Sequence, residues 1–421
     1  GERGADHTVA PTEGELATMS QMVREALEVG AIGFATSRTE VHRTSLGDFI
    51  PTLTASDAEL LAIADAMSKA GSGVVQLISD LYQTTDDDYF RSEVELLRRF
   101  VETSGRPLSF TMQQAYHSPG RWREQMDWVD QMVAAGHDVK AQVAPRPIGV
   151  LIGLTATANP FLFCASYGEV AGLDLPERVV AMRDPERKRR ILAEHAQLLG
   201  GLEEGIVSQI VGGFEVMFEL SDPVDYEMNR DRSLGAQAAR AGTDPASMLY
   251  DLMLETGGEQ LVYIPLFNFA HGNFDDIAEM ITSPNAVFGL SDAGAHCGAI
   301  CDASMPTSAL TVWARDRRDG DTMPIEQIVH AQTRRTAEHI GWLDRGLVAP
   351  GHVADLNLID FDALACHPPT IVHDLPAGGR RLMQTAEGYR YTIKSGRVTV
   401  TDGEPTGELP GGLVRGTRPQ P

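Results

Sequence analysis

Residues 15–37, ELATMSQMVREALEVGAIGFATS, contain a helix signal followed at once by a strand signal. Leu16, Met19 and Val23 recur at the spacing of one helical face, and Gly30 supplies a helix stop. The apolar run AIGFATS that comes next is too short for a helix and predicts a strand. An amphipathic helix leading directly into a buried strand is typical of parallel sheets covered by helices. This stretch therefore predicts α/β architecture.

The same helix-then-strand unit recurs four more times along the chain. In sequence order the pairs are LLAIADAMSKA with VVQLIS, SEVELLRRFVETSG with RPLSFTMQ, RWREQMDWVDQMVAAG with DVKAQVAP, and NFDDIAEMITSP with NAVFGLSD. The copies share no detectable sequence identity, so they are structural repeats of a barrel or an open sheet rather than of a solenoid. The sequence thus predicts five parallel strands.

Two segments depart from this rhythm and suggest the domain organisation. About residues 150–271 form a long stretch without the repeat, which we interpret as an insertion that roofs the site. Beyond residue 343 the helix–strand units give way to short strand-like runs. One of them, YRYTIKSGRVTV, alternates polar and apolar residues on both sides of Ser395-Gly396, which is a hairpin signal. We therefore predict a first domain at 1–343, carrying the insertion, and a small β module with a tail at 344–421.

The composition narrows the range of partners and compartments. Lys and Arg number 35 against 59 Asp and Glu, a formal charge of −24 that disfavours nucleic acid and anionic membranes. No apolar run approaches the ~20 residues of a membrane span. Four cysteines in so long a chain do not make a disulfide framework, so reduced thiols and a cytoplasmic location are expected.

Three stretches together resemble the amidohydrolase superfamily. TRRTAEHIGWLDRGLVAPGHVADLNLIDFDAL (333–364) resembles its junction between barrel and β-sandwich, and GLSDAGAH (289–296) resembles the end of its eighth barrel strand. REALEVGAIGFATSR (24–38) resembles a unit of the N-acyl-D-amino-acid deacylases, which are D-aminoacylase-like enzymes. The resemblance covers most of the chain. It implies an α/β fold with a (β/α)8 TIM-type barrel, of which only the later units are present, and a small C-terminal β-sandwich portion.

The resemblance also shows where this chain departs from the family. A closed barrel has eight strands and five are visible here, so the first three units are expected upstream of Gly1. The family's H-x-H pair and cysteine metal ligands would lie there, and the chain contains no H-x-H. Where the family has histidines after its fifth and sixth strands, this chain has Ile78–Asp80 and Met112–Gln114. His117 comes a few residues later and is interpreted as a loop histidine.

Asp292 and His296 are the predicted catalytic residues. In (β/α)8 enzymes the reacting groups stand at the C-terminal ends of strands, and Asp292 follows such a run. The resemblance implies a divalent metal, zinc by expectation, with Asp292 as a ligand and most other ligands upstream of Gly1. Asp292 would take a proton from metal-bound water and return it to the leaving amine. His296 would help to hold the oxyanion or orient Asp292, and the alternative for both residues is an ordinary turn role.

The predicted substrate-binding residues are Arg38, His42 and Tyr167. Arg38 and His42 follow the first visible strand, and a guanidinium can grip the free carboxylate of an N-acyl amino acid in bidentate fashion. The alternative for Arg38 is a salt bridge at the rim. Tyr167, with Ser166, belongs to the insertion and would line the pocket.

These features predict a metal-dependent amide hydrolase that removes the acyl group from N-acyl-D-amino acids or similar linear amides. Two alternatives stay open. One is a cyclic amidase of the same superfamily, acting on hydantoin-like rings. The other is an inactive protein or binding module, because several ligand positions are absent. Self-association or a companion N-terminal chain is also expected, because an open set of five strands would expose sheet edges and apolar surface.

Overall fold

The computed structural model describes residue 6 and residues 8–203, 205–291 and 296–417. The helices are α1 Glu13–Glu28, α2 Asp57–Ala70, α3 Asp87–Ser104, α4 Arg121–Ala134, α5 Ala165–Gly168, α6 Leu175–Met182, α7 Pro185–Leu199, α8 Ile206–Gly212, α9 Leu234–Ala241, α10 Pro245–Leu252, α11 Asp275–Thr282, α12 Met305–Thr311, α13 Ile325–Gln332 and α14 Arg334–His339. The strands are β1 Gly33–Arg38, β2 Val74–Ser79, β3 Leu108–Thr111, β4 Val139–Val143, β5 Ile148–Ile152, β6 Phe218–Glu219, β7 Val262–Phe267, β8 Ala286–Phe288, β9 Leu356–Ile359, β10 Ala365–Cys366, β11 Thr370–Leu375, β12 Gly379–Met383, β13 Ala386–Glu387, β14 Tyr389–Lys394, β15 Arg397–Thr401 and β16 Glu404–Pro405.

A five-stranded parallel sheet organises the fold. Its strand order is β1-β2-β3-β4-β8, and every neighbouring pair is parallel. Each strand follows one of the helices predicted from the repeated unit, namely α1, α2, α3, α4 and α11. The five predicted helix–strand units are confirmed. Within the described residues β1 and β8 stand at the two edges of this sheet.

Local sequence explains where these helices begin and end. The Ser56 hydroxyl accepts a hydrogen bond from the backbone N–H of Glu59 at the start of α2, and Gly71 ends that helix in the left-handed conformation. The next helix, α3, repeats this plan with Asp86 as its N-cap and Gly105 at its end. Such caps satisfy backbone groups that a helix leaves unpaired at its ends.

The two faces of the parallel sheet differ in polarity. Leu77, Phe110 and Ala141 stand on neighbouring strands in register and are buried, with 1% or less of their surface exposed. These residues pack in the main hydrophobic core with residues of the covering helices, such as Leu97 and Val129. Because successive side chains of a strand point to opposite faces, the alternate positions form a second face without that apolar cover.

The segment between β4 and β8 carries its own small antiparallel sheet, with strand order β5-β7-β6. Helices α5 to α10 lie between β5 and β7 in the chain, within the predicted insertion. After α14, the order β16-β15-β14-β9 gives an antiparallel sheet. The predicted hairpin is confirmed, since β14 and β15 pair around Ser395 and Gly396, which both have positive φ. The domain boundary at 343/344 stays a prediction. Among the described helices, none has the length and apolar character to cross a bilayer.

His195 lies inside the insertion and gives it a pH-dependent stability. Its ring is fully buried, and Nε2 stands 2.9 Å from the carbonyl oxygen of Val211, so Nε2 carries the proton. The Phe161 ring lies 5.1 Å away, centre to centre. Burial, which outweighs the hydrogen bond to Val211, lowers the pKa of His195 below its ordinary value of 6.5.

We therefore expect the free energy of unfolding to fall as the pH drops below about 6.5. The unfolded chain takes up the His195 proton first as the pH falls, so protonation favours the unfolded state in this pH range. A His195→Gln variant keeps a donor for Val211 and should lose this dependence, as measured by urea unfolding from pH 7 to 5. The exposed His373, changed to Gln, should leave the wild-type dependence in place. Parallel pH curves for wild type and His195→Gln would contradict the assignment.

Candidate functional site

The C-terminal ends of β1 and β2 are tied together by Asp80. Its carboxylate accepts hydrogen bonds from the Thr39 hydroxyl (2.5 Å), the backbone N–H of Glu40 (2.9 Å) and the side-chain amide of Gln83 (2.6 Å). Asp80 is 9% exposed. Three donors on one buried carboxylate fix the loops that follow both strands.

Arg38 is held by Glu93 of α3 on the helix-covered face of the sheet. Its Nε and Nη2 donate to the two Glu93 oxygens at 2.7 and 2.9 Å, and Nη1 donates to the carbonyl of Ala55 at 2.8 Å. The Ser79 hydroxyl also donates to Glu93, at 2.9 Å. Burial alone would lower the pKa of Arg38, but the hydrogen bonds and charge of Glu93 outweigh it and raise the pKa. The guanidinium thus has a bidentate protein partner, and its role as a substrate clamp stays a prediction.

His42 stands near the end of the same strand but on the other side. Its Nδ1 lies 2.6 Å from the hydroxyl of Ser37, and the imidazole is partly exposed. Ser37 pairs in register with Ile78, whereas Arg38 pairs with Ser79, so Ser37 and Arg38 point to opposite faces. The structure does not bring Arg38 and His42 to one face. The substrate role of His42 stays a prediction.

A row of polar side chains crosses the face of the sheet opposite the helices. Gln76 of β2 donates to Gln142 of β4 at 3.3 Å, and Gln142 donates to the Ser109 hydroxyl of β3 at 3.0 Å. Both glutamines are partly exposed. Gly289 follows β8 and lies over this row, since a Cβ there would stand 3.3 Å from the Cβ of Gln142. Our sequence analysis missed these residues, although a polar residue at alternate positions of an apolar strand was the available signal.

Residues 289–304, which we call the β8 loop, carry the predicted catalytic pair. Asp292 and the residues 293–295 lie outside the described residues, so the structure says nothing of its carboxylate. The loop leaves the strand with the Gly289 N–H bonded to the Val143 carbonyl at 3.0 Å. His296 is exposed, has a φ of 51°, and its carbonyl accepts from Ala299 N–H at 2.7 Å. The catalytic role of His296 stays a prediction.

The β8 loop is held by two other parts of the chain. From the insertion, Leu151 N–H donates to the Ala299 carbonyl at 2.7 Å and Thr157 N–H donates to the Gly298 carbonyl at 2.8 Å. From the C-terminal strands, Leu382 N–H donates to the Cys297 carbonyl at 2.6 Å. The insertion and the C-terminal β module therefore both contact the β8 loop at residues 297–299.

Tyr167 and Ser166 make their polar contacts within the insertion. The Tyr167 hydroxyl accepts from the Asn159 amide at 3.0 Å, and Tyr167 is 2% exposed. The Ser166 hydroxyl and backbone N–H both donate to Glu194, at 2.5 and 2.9 Å. A pocket-lining role for Tyr167 stays a prediction. His117 is exposed in a turn and lies 2.6 Å from the Gln83 carbonyl, in agreement with a loop histidine.

A second group missed by our sequence analysis lies beyond the end of β3. The buried Asp276 receives the Gln114 side-chain amide at 2.6 Å and lies 2.6 Å from Nδ1 of His271. The Ala270 N–H donates to the Gln114 oxygen at 2.9 Å. Gln114 is therefore engaged in joining β3 to the segment before α11. No local sequence pattern predicts the contact between Gln114 and Asp276, because the two residues lie far apart in the chain.

The described residues do not form a metal centre by themselves. Among them, no group of three or more His, Cys, Asp or Glu side chains is arranged to hold a metal ion. After β2 and β3, where the family has histidines, this chain has Asp80 and Gln114, and both side chains make hydrogen bonds within the protein.

Comparison with known proteins gives one family and one fold. A family model described as "Amidohydrolase family" matches residues 3–400. A D-aminoacylase structure, described as defining a novel subset of amidohydrolases, has a TM-score of 0.52 and 18% identity, covering 96% of this chain and 66% of that chain. A second D-aminoacylase structure, concerned with the role of its binuclear metal centre, matches with the same four values. No match was found among curated protein sequences.

These comparisons bear on the fold more than on the chemistry. This chain spans 66% of the length of the D-aminoacylase chains. At 18% identity the likeness shows the fold alone, and it confirms the predicted α/β class of TIM-type fold, with antiparallel sheets at the C-terminus. A D-hydantoinase from Thermus sp. has a TM-score of 0.37 and 15% identity over 94% of this chain and 68% of that chain, which is too low to carry an argument.

Proposed function

Because the chain belongs to the amidohydrolase family, we propose that it hydrolyses the amide bond of N-acyl-D-amino acids or similar linear amides. The observation that carries this proposal is the family match, which runs over residues 3–400 and so includes the whole β8 loop. The parallel sheet supports it, since β8 ends at Phe288 and the loop begins where reacting groups of such barrels stand. The confirmed membership agrees with the resemblance drawn from the sequence.

Asp292 is the proposed proton-transfer residue. Amide hydrolysis adds water to the carbonyl carbon and needs a proton on the departing nitrogen. A carboxylate four positions beyond the last residue of β8 can accept the first proton and deliver it to the amine. His296 would stand beside it on the same loop.

For substrate binding we propose His42, Arg38 and Tyr167. His42 has the stronger structural support, because its partner Ser37 is on the face of the sheet that carries the polar row. Arg38 would have to release Glu93 before it could grip a substrate carboxylate. Tyr167 would contribute through the insertion. The choice of N-acyl-D-amino acids is suggested by the D-aminoacylase fold.

The direct test is a substrate panel with the purified chain. N-acetyl-D-amino acids, their L forms, and hydantoin are incubated with the protein, and release of free amine or ring opening is measured. We expect turnover of the linear D substrates. Ring opening alone would reassign the protein to the cyclic amidases. A folded protein that turns over none of these amides would favour the inactive or binding alternative.

Metal dependence is a separate expectation with its own measurement. After dialysis against a chelator we expect turnover of the N-acetyl-D-amino acids to fall at least tenfold and to return on addition of Zn²⁺, because divalent metals polarise amide carbonyls. Elemental analysis before and after dialysis reports the metal content. Undiminished turnover by a protein shown to be metal-free would exclude a metal from the reaction.

A further inference from the structure

A buried arginine, Arg146, contacts the β8 loop from the neighbouring strand of the sheet. It comes three residues after the end of β4, and 1% of its surface is exposed. Nη2 lies 3.0 Å from Oδ1 of Asp302, 3.2 Å from the Ser304 hydroxyl and 3.4 Å from the carbonyl of Cys301. All three oxygens belong to the C-terminal part of the β8 loop.

Arg146 makes no other hydrogen bond among the described residues. Its Nε and Nη1 have no hydrogen-bond partner there, and the guanidinium carbon stands 3.7 Å from the centre of the Tyr226 ring. The aromatic face satisfies part of the buried charge through a cation–π contact. Among the described residues, the polar contacts of the Arg146 guanidinium are therefore all with the β8 loop. Its other contact named here is with the Tyr226 ring of the insertion.

The contact extends from Asp302 to Ser291, the last described residue before position 292. The Ser291 hydroxyl donates to the backbone carbonyl of Asp302 at 3.0 Å, so the residue before Asp292 is bonded to the residue that Arg146 holds. Ser304 in turn donates to Gln384 of the C-terminal segment at 2.5 Å, and the Gln384 amide donates to the Tyr226 hydroxyl at 3.0 Å. Ser291 is thus bonded to Asp302, the residue whose side chain pairs with Arg146.

We infer that Arg146 is a positioning residue for the proposed hydrolysis, which acts through Asp302 to hold the C-terminal part of the β8 loop, residues 301–304, in place. This inference rests on the proposed function. A buried charge pair suits this task because its partners cannot exchange for water, and a single guanidinium nitrogen, Nη2, faces three oxygens of the loop. The pair restrains the loop from β4, the strand that adjoins β8 in the sheet.

Cys301 offers a readout of loop position that does not depend on activity. It precedes Asp302, it is partly buried, and burial, with a smaller contribution from the charge of Asp302, raises its pKa to about 11. A thiol in this state reacts slowly with iodoacetamide, because the thiolate is the nucleophile. If the loop is released, the Cys301 thiol gains access to water and its alkylation accelerates. Peptide mass spectrometry distinguishes Cys301 from Cys297.

The experiment compares Arg146→Met, Arg146→Lys and Asp302→Asn with the wild type. We expect Cys301 alkylation to be at least tenfold faster in Arg146→Met and Asp302→Asn, and kcat for the N-acetyl-D-amino acids to fall about 100-fold while KM changes less than threefold. Arg146→Lys keeps a positive charge that can still pair with Asp302, so both effects should be smaller. Should Arg146→Met fail to fold, Asp302→Asn and Arg146→Lys carry the same comparison.

Arg317→Met provides the matched control for loss of a buried arginine. Arg317 has 2% of its side chain exposed, and its partners Glu227, Asp275 and Asp319 lie outside the β8 loop. In the Arg317→Met variant, the rate of Cys301 alkylation should stay within twofold of the wild-type rate. An equal acceleration in Arg317→Met, or unchanged alkylation in a folded Arg146→Met, would overturn the inference. So would a rise in KM at constant kcat, which would mean that Arg146 acts on substrate binding.

The two proposals fail in different ways. If the wild type turns over no amide but alkylation of Cys301 is still faster in Arg146→Met, the role of Arg146 in holding the loop stands and the proposed reaction is wrong. If the wild type is active and neither kcat nor alkylation responds, the reaction stands and the positioning role is wrong.

Discussion

Replacing Asp292 with Asn is expected to lower kcat for N-acetyl-D-amino acids by about 100- to 10,000-fold, the range for loss of a general acid–base group. Asparagine has nearly the same shape as aspartate but neither accepts the proton of the attacking water nor returns it to the amine. KM should change little, because the carboxylate is proposed to transfer a proton during the reaction rather than to bind the substrate. Steady-state kinetics at saturating substrate measure the effect.

The control for this substitution is Asp321→Asn, which makes the same chemical change at an exposed loop position. Its kcat should match that of the wild type. Thermal unfolding of both variants should remain near the wild-type midpoint, which separates a catalytic loss from a folding defect. An Asp292→Asn protein that keeps more than a tenth of the wild-type kcat would remove the proposed mechanism.

The largest expected effect on stability comes from Glu93→Gln. Glu93 is 3% exposed, and its carboxylate holds Arg38 in a bidentate pair and accepts from Ser79. The neutral amide leaves the Arg38 charge buried without a counter-charge, a change that typically costs about 3–5 kcal/mol. We expect the free energy of unfolding, measured in urea, to fall by that amount. A loss below ~1 kcal/mol would show that the pair is not the structural element we describe.

Two further variants sharpen this prediction. Glu102→Gln lies on the same helix and breaks an exposed pair with Arg98, in which both side chains are at least 40% exposed, so its cost should stay under ~1 kcal/mol. The double variant Arg38→Met with Glu93→Leu replaces both charges by apolar groups and should recover much of the stability lost in Glu93→Gln. The same double variant also tests Arg38 as a substrate clamp, because an unchanged KM in it would exclude that role.

The fold was predictable from the sequence to the extent that its signals are local. A helical period, an N-cap such as Ser56 and a left-handed glycine such as Gly71 act within a few residues, so each helix–strand unit could be recognised by itself. The hairpin at Ser395 and Gly396 was predictable for the same reason, because positive φ at two adjacent residues is a property of the turn itself.

The site residues were less predictable, because their roles depend on distant partners. Arg38 was interpreted as a substrate clamp from its place after a strand, yet its Glu93 partner lies 55 positions further along the chain. The polar row from Gln76 to Gln142 spans 66 positions. No short-range pattern marks such pairs, so sequence reasoning found the strand ends but not the groups that engage them.

The sequence by itself determined the order of helices and strands, the acidic surface charge and the family to which the chain belongs, because each is written in short segments or in the composition. Only the tertiary structure decided which segments meet. It placed β8 beside β4 across the insertion, and it brought Arg146 against a loop whose Cys301 is 155 positions away. The reason is physical: a buried charge has to be paired by whatever the folded chain brings within about 4 Å, and that neighbour is set by the packing of the sheet rather than by any local period.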